Sequence, residues 1–160
     1  MSNKLTVNGD LSASGIIYGT INPSQVALSA QGVGVRNTTA GVCAGKCLEA
    51  GAEDNSIFGN CAGFNITTGD KNSAFGQASL LNNTTGENNS AFGYRSLFSN
   101  TTGNNNTGLG FRAGNNITTG CVNTAIGMDA LKAGTTNHNT IAIGKGALCN
   151  NTTAAYNIAI

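Results

Sequence analysis

The sequence has almost no proline, no tryptophan and very little charge. One proline in 160 residues, 9% charged side chains and 6% aromatics set it apart from ordinary soluble domains, in which about a quarter of residues are charged. Eight basic residues stand against seven acidic ones, a net charge of +1, and neither sign clusters. The basic face of a nucleic-acid binder is missing, so no nucleic-acid partner is expected. No run approaches the roughly 18 apolar residues of a membrane span, and no membrane insertion is expected. Met1 to Asp10 lack the apolar stretch of a secretory signal, which implies synthesis in a cytoplasm without general secretory export. Five cysteines, Cys43, Cys47, Cys61, Cys121 and Cys149, are odd in number and unevenly spaced. That is no disulfide framework and fits a reducing place of synthesis.

What is abundant is glycine, with 23 residues, together with Asn and Thr. Such polar, uncharged mixtures occur in disordered chains, but here apolar residues recur at fixed places. Gly59, Gly76, Gly93, Gly110, Gly127 and Gly144 lie 17 residues apart. Each of these anchors follows a large apolar residue: Phe58, Phe75, Phe92, Leu109, Ile126 or Ile143. The residue before that is small in most copies (Ala74, Ala91, Gly108, Ala125, Ala142), with Ile57 as the exception. Three residues after each anchor stands another small side chain, Ala62, Ser79, Ser96, Ala113, Ala130 or Ala147. Leu or Gly follows it, and a Thr-Thr-Gly corner ends four of the copies at Gly69, Gly86, Gly103 and Gly120. A divergent first copy spans Gly41 to Glu53. The pattern stops mid-unit at Ile160, so further repeats or a tip domain are expected beyond it.

A 17-residue period is too short for helix-pair repeats, and Gly, Asn and Thr are poor helix formers. The spacing predicts two short strands per unit, Asn72 to Phe75 and a second near Gln77 to Leu81, with Gly76 turning between them and Asn-Asn-Thr-Thr-Gly reversing the chain. Stacking gives an all-β solenoid of about seven coils over residues 32–160, each rising about 4.8 Å. One coil alone cannot offset its conformational entropy; neighbours supply a shared ladder, an apolar column and side-chain bonds between stacked Asn and Thr. The large apolar residue and the Ala before it point to opposite faces of the strand. Which column faces inward is not decided by alternation, but two covered faces imply a neighbouring chain.

Asn72-Ser73-Ala74-Phe75-Gly76, Asn89-Ser90-Ala91-Phe92-Gly93 and Asn123-Thr124-Ala125-Ile126-Gly127 resemble the head repeats of YadA-like trimeric autotransporter adhesins. The Asn-Thr-Thr-Gly units also resemble repeats of phage and large-virus tail fibres. The resemblance covers about residues 41–160. It implies a left-handed parallel β-roll, an intertwined homotrimer and a place on an elongated particle appendage. Residues 1–31 alternate and break at glycines, as in Leu5 to Thr20, and resemble the segment by which viral fibres dock onto a capsid or baseplate protein.

No catalytic constellation stands out, so an enzyme is not expected, and neither a cofactor nor a metal. His138, the sole histidine, sits in a polar corner and reads as solvent-exposed rather than as a base with positioned partners. Glu53-Asp54-Asn55 is the nearest approach to clustered calcium ligands. Cys43, Cys47 and Cys61 lack the spacing of a zinc site and read as small buried thiols, although Cys43 and Cys61 occupy matching places in adjacent coils, within disulfide reach. Gly32-Val33-Gly34 lacks the Lys-Ser/Thr of a phosphate loop. The ten Asn-x-Ser/Thr sequons follow from composition and matter only in a secretory pathway. The expected role is a structural fibre or spike subunit on a virion or particle surface, holding a host receptor-binding tip outward. The alternatives are a bacterial adhesin head and an ice-binding solenoid.

Overall fold

The computed structural model describes residues 36–160; the attachment segment read in residues 1–31 lies outside them. Eight short strands follow one another in chain order: β1 Thr38–Ala40, β2 Ser56–Phe58, β3 Ser73–Phe75, β4 Ser90–Phe92, β5 Thr107–Leu109, β6 Thr124–Ile126, β7 Ile141–Ile143 and β8 Ile158–Ala159. Each pairs in parallel with the next, giving one sheet in the order β1 to β8. Ser73 faces Ser90, Ala74 faces Ala91 and Phe75 faces Phe92. The chain is therefore an all-β solenoid of seven turns, and no helix is present among the described residues. Turn 1 runs from β1 to β2, and so on to turn 7.

The second strand expected near Gln77 to Leu81 is not a strand. The Ser79 N–H bonds back to the Gly76 carbonyl at 3.2 Å and that of Asn83 to Leu80 at 3.2 Å, so these amides are spent within the turn. Ala78, at φ 57°, takes the left-handed third position that such a turn can require. The intervening amides still bond between turns, as Ala78 N–H does to Asn60 O at 2.9 Å and Leu80 N–H to Ser96 O at 3.1 Å. Leu80, Leu97 and Leu131 also hold left-handed backbone, with φ of 47° to 48°. That conformation costs about 1–2 kcal/mol for a side chain with a Cβ. All three are fully buried, and burial of a Leu contributes roughly 2–3 kcal/mol, which offsets the strain.

The middle residue of each strand faces inward: Ile57, Ala74, Ala91, Ala125 and Ala142 are fully buried. Apart from Ile57, which shares the core of turn 2 with Ile66, these residues are small, and a Leu or Ile packs beside them: a Cβ on Gly108 would sit 3.0 Å from Leu97 Cγ. Where the fourth residue after the anchor is Leu (Leu80, Leu97, Leu131), the seventh is Asn83, Asn100 or Gly134. Where the fourth is glycine (Gly63, Gly114), the seventh is Ile66 or Ile117, both buried. A Cβ on Gly114 would sit 3.0 Å from Ile117 Cδ1. After the anchor, each of these turns thus supplies one large core side chain from either of two positions, and turn 2 adds Ile57 from its strand.

The anchor glycines answer to a closer approach. Their φ values run from 115° to 138°. A Cβ on any anchor from Gly59 to Gly127 would lie 2.6 to 2.8 Å from the carbonyl of the next anchor. No side chain fits between turns at that corner.

Two polar ladders complete the interior. Asn55, Asn72, Asn89, Asn106 and Asn123 are buried one residue ahead of their strands. Each side-chain carbonyl accepts the backbone N–H of its counterpart one turn on, at 2.9 to 3.1 Å, the last serving Thr140. Each amide donates to the corner carbonyl of the following turn, as Asn72 does to Gly86 O at 2.8 Å. Thr67, Thr84, Thr101, Thr118 and Thr135 donate their hydroxyls to the next Thr carbonyl at 3.0 to 3.2 Å.

Candidate interaction face

Strand alternation sends the residue before each anchor outward. Phe58, Phe75, Ile126 and Ile143 are half-buried, whereas Phe92 is 39% and Leu109 47% exposed. The small Ala column fills the inside and the large column is the outer one. In-register pairing stacks the rings: Phe58 and Phe75 centroids lie 4.8 Å apart, Phe75 and Phe92 5.0 Å, with planes within 9° of parallel. Ser56, Ser73, Ser90, Thr107 and Thr124 share this outer face and give way to Ile141 and Ile158 at the C-terminal end. The face is an apolar file flanked by small hydroxyls, with no charged residue among its strand positions.

No protein family, curated protein or solved structure matches this chain.

A second apolar column was not read from the sequence. Tyr94, Phe111 and Met128 each follow an anchor and are 39% to 43% exposed; Tyr94 and Phe111 stack at 5.4 Å. The recurrence of large apolar residues just after the anchor in three successive copies was the available signal. Arginines cover part of the neighbouring surface: Arg95 lies 4.1 Å over the Phe98 ring and Arg112 4.7 Å over Phe111.

The anchors Gly59, Gly76, Gly93, Gly110, Gly127 and Gly144 line one edge, flanked by the outer file Phe58, Phe75, Phe92, Leu109, Ile126 and Ile143. The possible calcium ligands are engaged elsewhere. Asn55 is buried in the Asn ladder, and Arg36 holds Glu53 at 3.0 Å and Asp54 at 2.6 Å. The Arg36 hydrogen bond keeps the Asp54 carboxyl below its usual range, and the same bond raises the Arg36 guanidinium. No group of three or more His, Cys, Asp or Glu suited to a metal occurs among the described residues. The five cysteines are free and half-buried rather than fully buried. His138 is exposed, and its Nδ1 accepts the Cys121 N–H at 3.1 Å. It occupies the place where Asn104 accepts from Glu87 and Asp70 accepts from Glu53, so it serves as one acceptor in a polar column. Of the paired threonines, Thr67, Thr84, Thr101, Thr118 and Thr135 are half-buried, whereas Thr68, Thr85, Thr102, Thr119 and Thr136 are exposed. One outward Thr per turn results.

Proposed function

We propose that this chain is a structural subunit of a fibre or spike on a phage, large virus or phage-like particle, assembled as a homotrimer around the outer sheet face and devoid of enzymatic activity. The observation that carries the reading is the stacked apolar file on the outer face of an otherwise complete solenoid. Phe92, 39% exposed, leaves about 80 Å² of its roughly 200 Å² in water. At about 25 cal/mol per Å² its burial against another copy contributes about 2 kcal/mol. Repeated along the file, that favours association of parallel copies, because only parallel chains keep equivalent turns level.

In this reading the left-handed roll of the resembling adhesin heads sets the coil, residues 1–31 dock onto a capsid or baseplate protein, and the rod holds a host receptor-binding tip outward. Copy number sets reach: each added turn lengthens the rod by about 4.8 Å. Native mass spectrometry of the full chain is expected to give three copies, and the Phe92→Asp/Leu109→Asp variant is expected to be monomeric with its β signal intact. Deleting residues 90–106 is expected to shorten the rod by one turn in electron micrographs. A monomeric wild type, or a charged variant that stays assembled, would refute the proposal.

The single file of outward threonines favours a second reading, an ice-binding solenoid. Thermal hysteresis at millimolar protein would support it, and its absence removes it.

A further inference from the structure

Between turns 6 and 7 the surface opens into a cleft of about 450 Å³, within the usual size range of ligand sites. One side chain of the repeat is missing there. Two residues after the anchor, the other turns carry Cys43, Cys61, Ala78, Arg95, Arg112 and Asp129; turn 7 carries Gly146. A Cβ there would meet nothing within 4 Å.

The lining is rich in donors. Lys132 and Lys145 reach it from successive turns, with Asn116 and Asn150 beside them. The Asn116 carbonyl already accepts from Asn115 at 2.6 Å, which leaves its NH₂ group for a ligand. Asp129 is the one acid in the lining, and its charge is already matched. Arg112 Nη2 donates to its Oδ2 at 3.0 Å, and Arg112 Nε lies 2.8 Å from Oδ1, off-line for a hydrogen bond. Lys132 stands 4.0 Å from the same oxygen, and Lys145 forms no ion pair among the described residues. Residues 93–160 hold four basic side chains, Arg95, Arg112, Lys132 and Lys145, against Asp129 alone. The cleft is therefore a positively charged hollow with unspent amides.

We infer that this cleft binds an acidic saccharide, with the lysines taking the carboxylate or sulfate and the amides the ring hydroxyls. The biological setting rests on the attachment reading above; the chemistry of the cleft does not. Lysine suits this as a mobile point charge rather than a rigid fork, and an open site of this kind weakens with salt.

Isothermal titration of the full-length protein tests it with four probes: a sulfated disaccharide, a digalacturonate, an uncharged disaccharide and sodium sulfate. The acidic disaccharides are expected to bind, and the uncharged one not. Lys132→Gln/Lys145→Gln is expected to weaken binding about tenfold or more, as loss of charge-assisted bonds implies. Gly146→Asn, which fills the hollow with a residue that tolerates its left-handed backbone, is expected to weaken binding with every charge kept. Lys71→Gln, remote from the cleft, is expected to change nothing, and circular dichroism confirms folding of each variant. The inference is overturned if neither acidic disaccharide binds, if sulfate alone binds as tightly, or if the double variant keeps its affinity. An intact trimeric rod without saccharide binding sinks this inference alone; a monomer that binds sinks the attachment reading alone.

Discussion

Replacing Gly93 by Ala places a methyl group 2.6 Å from the Gly110 carbonyl oxygen, whereas the same change at Gly144 meets nothing within 4 Å. The two glycines hold similar backbone, φ 126° and 115°, so each substitution carries a comparable strain of about 1–3 kcal/mol. The comparison cancels that strain and isolates the contact. To relieve it at Gly93, turns 4 and 5 must separate at the corner where the Gly110 N–H bonds to Phe92 O at 2.8 Å. Loss of that bond and of the adjoining ladder contacts is expected to make Gly93→Ala more destabilising than Gly144→Ala by about 2 kcal/mol. Urea denaturation followed by far-ultraviolet circular dichroism measures it. An end turn is intrinsically less coupled than an interior one, so Ala91→Gly and Ala142→Gly, both at fully buried positions in the same two turns, serve as controls for position. If the anchor pair differs no more than the control pair, close approach between glycines is not what the anchors provide.

Asn89→Leu is expected to cost roughly 1–3 kcal/mol, because it leaves the buried Asn106 N–H without its acceptor at 3.0 Å, while the Gly103 carbonyl keeps the Asn100 amide as donor at 2.9 Å; thermal melting checks it. Leu97→Gly empties the core of turn 4, and the added change Asn100→Ile is expected to restore part of the stability by copying the glycine-isoleucine pairing of turns 2 and 5. A double variant less stable than Leu97→Gly in urea would refute that exchange. The depressed Asp54 carboxyl makes the folded state bind fewer protons than the unfolded chain in acid. Its pairing with Arg36 therefore stabilises fully above the unfolded carboxylate value near 4 and is lost as pH falls below it. The stability difference between wild type and Arg36→Gln is expected to vanish in acid and to shrink in high salt.

The repeat was legible because identical residues meet identical neighbours. The spacing from Gly59 to Gly144 located β2 to β7 within a residue, and the stacked Asn and Thr side chains bond between turns as their recurrence suggested. The stretch from Gln77 to Leu81 was misread as a strand. Its Ala and Leu give no sign of left-handed backbone, which is imposed by contacts between turns rather than by local propensity. The orientation of the Phe column was also hidden, since alternation separates two faces without saying which one encloses the core. That was decided by room: each turn already encloses a Leu or Ile after its anchor, and the inward strand position beside it takes Ala or Gly in turns 3 to 7 and Ile57 in turn 2, never a ring. The cleft at Gly146 left no periodic signal because it is a departure from the repeat.

The bonds that hold one turn to the next run along the axis of the stack, while the chain itself winds through every turn. Tension applied between the two ends loads each interface equally, and the weakest one opens first. Opening it frees a 17-residue length that can extend to about 55 Å in place of a rise of about 5 Å. A rod of this construction yields to force in steps of roughly 50 Å, absorbing a pull one turn at a time before the covalent chain is strained.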